Sequence, residues 1–65
     1  MTTDLMTAFS LEEGDTIKVM DNLYVVSAID AIQNGYRLHL TDEEGFGKIM
    51  MVNDNDKIRV VVEND

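Results

Sequence analysis

Five short runs of alternating apolar residues, turn chemistry between them and very little helical spacing predict an all-β chain. The expected form is a small five-stranded barrel with a short N-terminal helical turn. The clearest run lies in Tyr36–Val52. Tyr36, Leu38 and Leu40 alternate with Arg37, His39 and Thr41, the pattern of a strand with one buried face. The acidic, glycine-bracketed stretch Asp42–Gly47 interrupts it, and Lys48–Val52 returns as the second arm of a hairpin. Setting Leu40 opposite Ile49 puts Leu38 against Met51 inside. Thr41 then faces Lys48, and His39 faces Met50, outside. A one-residue slip reverses the face of every side chain in a strand, so the alternation favours this register.

The other elements follow in order. In Met1–Phe9, Leu5, Met6 and Phe9 have helical spacing. So short a helix needs docking to persist, and the segment is expected either to place Phe9 as a cap on the barrel end or to stay flexible. Ser10-Leu11-Glu12-Glu13 fits a capping box, with Ser10 accepting from the Glu13 amide, and Gly14 ends that turn. Thr16–Met20 is the first strand, Ile17 and Val19 inward. Asp21-Asn22 suits a two-residue hairpin loop, since both types tolerate positive φ. Leu23–Ile29 is apolar on both faces, as strands are where a small barrel bends. Asn34-Gly35 signals the next turn and Asn53–Asp56 another. Lys57–Glu63 closes the fold, with Ile58, Val60 and Val62 on one face, and Asn64-Asp65 ends in solvent.

This succession resembles the SH3-like barrels. Gly14-Asp15-Thr16-Ile17 followed by Leu23-Tyr24-Val25-Val26 resembles the opening of the KOW-like N-terminal domain of elongation factor P, where a GD-x-I strand precedes a YxV strand. The resemblance covers about 20 residues and implies the fold. That family carries a glycine-rich, lysine-bearing basic loop. Asp30-Ala31-Ile32-Gln33-Asn34 has no lysine and one acid, so the ribosomal role is not implied.

With 65 residues and 7.3 kDa, residues 1–65 make one domain, near the lower size limit for a self-sufficient core. There is no cysteine to form a disulfide framework. No apolar run approaches the roughly 20 residues of a membrane span, and the N-terminus lacks the basic and apolar regions of a secretory signal. A soluble, cytoplasmic protein is expected. Thirteen acidic against five basic residues give a net charge of −8, which repels phosphate backbones and anionic membranes and favours a basic partner.

These features weigh the function classes. The single histidine, His39, sits mid-strand with no spacing that suggests a nucleophile and an oxyanion site, so no catalytic residue is assigned and an enzyme is not expected. Asp54-Asn55-Asp56 runs into Lys57-Ile58 without the glycine and distal glutamate of a calcium loop, so neither metal nor cofactor is expected. Lys18, Arg37, Lys48 and Arg59 fall on outward strand positions. A local basic stripe over Arg37, His39 and Lys48 is a conceivable route to nucleic acid, which the net charge disfavours. Small acidic phage proteins that imitate the nucleic-acid backbone and occupy a DNA-binding protein are the alternative.

The favoured reading is a non-enzymatic module that docks on a basic protein surface or larger assembly. Asp42, Glu43 and Glu44 would supply charge, and Tyr36, Phe46 and Met50 apolar contact, with Arg37, His39 and Lys48 on the adjoining strand positions. Five methionines, with Met20, Val26, Met50 and Val61 expected to be exposed, also admit a homo-oligomer joined through strand edges.

Overall fold

The computed structural model describes residues 2–63, Glu63 by its backbone alone. The expectation for Asn64 and Asp65 lies outside that range, as does Met1. Strands β1 (Thr2–Thr7), β2 (Thr16–Val19), β3 (Asn22–Ile32), β4 (Gly35–Thr41), β5 (Gly47–Asn53) and β6 (Lys57–Glu63) pair antiparallel in one open sheet of order β1-β6-β2-β3-β4-β5. A single 3₁₀ turn, Ala8–Ser10, is the only helical element among the described residues. None of their helices is long and apolar enough to cross a membrane. The core gathers Ile17, Val26, Leu38, Leu40, Ile58 and Val60 from the sheet, and Ala8 and Leu11 from the turn segment.

The first difference from expectation is a sixth strand. Residues 2–7 pair with β6, from Met6 opposite Ile58 to Thr3 opposite Val61. Leu5 and Met6 therefore point to opposite faces, and the helical spacing carries no weight against a ready-made sheet edge. The chain turns at Ala8, whose N–H donates to the Asp56 carbonyl. Ala8 is buried there, whereas Phe9 is 60% exposed and caps nothing. Ser10 does not cap Glu13: its hydroxyl pairs with that of Thr7 at 3.0 Å. Asp15 takes over that task, accepting the Glu12 N–H at 2.9 Å.

The β2–β3 turn lies one residue earlier than expected. Val19 pairs with Asn22, so Met20 and Asp21 form the loop, and Met20 takes the positive φ of 57°. The doubly apolar stretch of β3 has a physical cause in a bulge between Val26 and Ala28. Tyr24 and Val26 face the core before it. The extra residue, Ser27, shifts the phase so that Ile29 faces the core after it. Val26, expected outside, is fully buried, and Val25 is exposed instead.

The β4–β5 register is also shifted by one residue. Leu40 pairs with Lys48, Leu38 with Met50 and His39 with Ile49. The leucines stay inside, as expected, but β5 presents its other face to them. The loop sets this register. The Asp42 carboxylate accepts the N–H groups of Glu44 (2.9 Å) and Phe46 (2.8 Å), and the Asp42 N–H donates to the Phe46 carbonyl. That knot makes a five-residue loop closed by Thr41 and Gly47. Met50 and Val52 thereby pack on the core, while Ile49 and Met51 are 58% and 64% exposed. At the other end of β4, Gly35 fits because a Cβ there would run into the Val52 carbonyl.

Candidate functional site

The antiparallel offset between β3 and β4 builds a cleft. Val25 pairs with Thr41, so the first residues of β3 run on beyond the end of β4, beside the 42–46 loop. Asp21, Asp42, Glu43 and Glu44 line this cleft together with Leu23 and Tyr24. A second, more apolar depression continues from it over Leu23, Val25 and Thr41. A mostly polar cleft of carboxylates thus adjoins an apolar surface. Such a surface accepts a lysine or arginine with its cationic head among the acids and its stem on the depression beside them. Phe46 projects from the same loop and is 66% exposed.

The nine residues nominated from the sequence separate into three places. Asp42, Glu43, Glu44 and Phe46 sit together on the cleft loop. Asp42 is occupied in holding that loop, so Glu43 and Glu44 are its free charges. Arg37 and His39 lie on the outer face of β4, across from Met51 and Ile49. Tyr36 and Met50 turn to the core and are half-buried against it, so neither offers the exposed contact expected. Tyr36 also stands at the far end of β4, about 20 Å from Asp42 at ~3.3 Å per strand residue.

Lys48 departs from the expected basic stripe for the same reason of register. Its partner is Leu40, which places it on the opposite face of the hairpin from Arg37 and His39. Its ammonium lies 5.4 Å from the centre of the Tyr24 ring, a cation–π contact on the cleft side. The outer-face pair is balanced by an acid. The Asp30 carboxylate is 2.8 Å from His39 Nε2 and 3.9 Å from the Arg37 guanidinium. The Ser27 hydroxyl donates to the His39 carbonyl at 3.0 Å rather than meeting the imidazole. His39 is the diagonal cross-strand hydrogen-bond partner of Asp30. Among the described residues no three His, Asp or Glu side chains converge to hold a metal ion.

Sequence reasoning missed Asp21, Leu23 and Tyr24 as cleft residues, because only the pairing offset brings them beside the loop. It also missed Ile49 and Met51 as exposed. The signal for those two was Asp42 itself, whose short carboxylate suits closing a turn over the residues that follow it. Compared with known proteins, the chain matches no family model, no curated sequence and no solved structure.

Proposed function

We propose that this domain is a non-enzymatic interaction module that docks on a basic protein surface through the cleft between the β2–β3 turn and the 42–46 loop. The observation that carries the reading is the convergence of Asp21, Glu43 and Glu44 around a cleft that adjoins an apolar depression over Leu23 and Val25. A net charge of −8 steers a cationic partner toward the molecule, and the depression adds the short-range contact that charge alone lacks. We also propose that β2 to β6 curve in an SH3-like manner, with β1 added along β6, and that the protein works in the cytoplasm. Only a tight Gln33-Asn34 turn stands between β3 and β4, where the resembled family carries its basic loop. A ribosomal role therefore forms no part of this reading.

The test is capture from host lysate, after nuclease treatment, at low and high salt. Asp42 is left intact because it organises the loop. Glu43→Lys with Glu44→Lys reverses the free charges, and Asp4→Lys with Asp54→Lys is the control of equal charge change. The expected result is a basic protein retained at low salt by the wild type and the control, lost at high salt and not captured by the cleft variant. Equal capture by both variants would remove the cleft from the reading. Competition by DNA for the captured protein would identify that protein as DNA-binding and favour backbone mimicry.

A further inference from the structure

The two edges of the sheet are built differently. On β1 a register irregularity falls between Thr2 and Thr3, and Asp4, paired with Val60, places a charge on the core side. Both devices blunt an edge against pairing with another chain. The register of β5 with β4 is continuous from Gly47 to Asn53, and its one charge, Lys48 on the core side opposite Leu40, stands near the end of the strand. In a chain with 13 acidic residues, Gly47–Asn53 contains none.

The loop bonds show which backbone groups of β5 are free. The Asp42 N–H donates to the Phe46 carbonyl and the Asp54 N–H to the Asn34 carbonyl, bracketing the ladder at both ends. Antiparallel pairs alternate between bonded and non-bonded, so the bonded pairs are Tyr36–Val52, Leu38–Met50 and Leu40–Lys48. The N–H and C=O groups of Ile49 and Met51 then point away from the sheet. Those of Asn53 point the same way but are already satisfied, its N–H by the Asp56 carboxylate and its carbonyl by the Asp56 N–H. Gly47, in a non-bonded pair with Thr41, also turns its N–H and C=O outward, so the open part of the edge runs from Gly47 to Met51 and is centred on Ile49. Two of its three residues with outward backbone groups, Ile49 and Met51, also expose large apolar side chains.

This array is complementary to itself. We propose that β5 pairs antiparallel with β5 of a second copy about a two-fold axis at Ile49. Ile49 lies opposite Ile49 of the second copy, Met51 opposite its Gly47, and Gly47 opposite its Met51. Each of these pairs exchanges both backbone hydrogen bonds, and the Ile49 and Met51 side chains of the two copies meet on the outer face. Lys48 falls opposite Met50 of the second copy, so no like charges meet within the strands. Asp56 closes the ladder at each end by occupying the Asn53 backbone. A second copy suits this edge better than an unrelated strand because the free groups are symmetric about one residue.

The proposal is independent of the acidic cleft and has the opposite salt dependence. Two molecules of charge −8 repel each other, so screening tightens self-pairing while it weakens docking on a basic surface. Sedimentation across a concentration series is the test, at about 0.02 M and about 0.5 M NaCl. The expected result is reversible association to twice 7.3 kDa, stronger at the higher salt. Ile49→Lys with Met51→Lys should weaken it about tenfold or more. Met51→Pro should do the same and stay folded, since the N–H it removes is not bonded to β4. Hydrogen exchange on the wild type guards against misfolded variants: the Ile49 and Met51 amides should slow as concentration rises. A single-chain mass throughout, or a dimer in which those two amides exchange as in the monomer, would overturn the proposal.

Discussion

At the residue scale, Met20 is the one strained position whose relief should be measurable. It has a φ of 57° in a tight turn and is 88% exposed, so no packing compensates its conformation. Asn34, the other non-glycine residue with positive φ, is a type that tolerates the left-handed region through its short polar side chain. Met20→Gly should therefore stabilise the fold by about 1 kcal/mol, read as a higher urea midpoint with an unchanged slope. An unchanged or lowered midpoint would mean that the thioether contributes to the fold despite its exposure. The sequence pointed to this turn but not to its strained residue. Asp21-Asn22 was the better turn dipeptide, yet Val19 pairs with Asn22 and Ile17 with Tyr24. Either turn keeps Ile17 opposite a core-facing residue, Tyr24 or Val26, so alternation alone does not choose between them.

At the element scale, the β4–β5 hairpin shows how one side chain fixes the placement of many. Asp42 holds two backbone N–H groups of its own loop, and the register of β5 follows. Asp42→Ala should cost about 1–2 kcal/mol, because both donors lose a charged acceptor. It should also loosen the register, visible as faster amide exchange in Lys48 and Met50, whose N–H groups face β4. Retention of wild-type exchange would show that core packing of Met50 and Val52 sets the register unaided. Much of the fold was legible at this scale. All five alternating runs became strands, because a one-sided apolar surface leaves a strand few alternatives. What escaped were the pairing of residues 2–7 with β6 and two single-residue phase changes, the Ser27 bulge and the hairpin register, which each exchange an inner for an outer face. Of the candidate site, the acidic loop was legible from composition alone. Its partner across the cleft was not, since Asp21 and Leu23 approach it only through the offset of β3 against β4.

At the scale of the whole molecule, the dominant electrostatic term is self-repulsion. The ion pair among the described residues is Arg37–Asp30, and His39 hydrogen-bonds the same carboxylate on the exposed outer face. Such pairs contribute little, about 0–1 kcal/mol, and are already screened by solvent. Against them stands a net charge of −8 confined to a 65-residue chain. Unfolding moves those charges apart, so added salt should favour the folded form. The expectation is a rise in the urea midpoint between about 0.02 M and about 0.5 M NaCl, equivalent to a gain on the order of 1 kcal/mol. The measurement belongs on Met51→Pro, so that the proposed β5 pairing does not act as a competing source of salt-dependent stability. A fall in the midpoint would mean that attraction across the sheet outweighs the net charge. The closest opposite charges would then be the place to look, beginning with Asp30→Asn, which removes the carboxylate that Arg37 and His39 share.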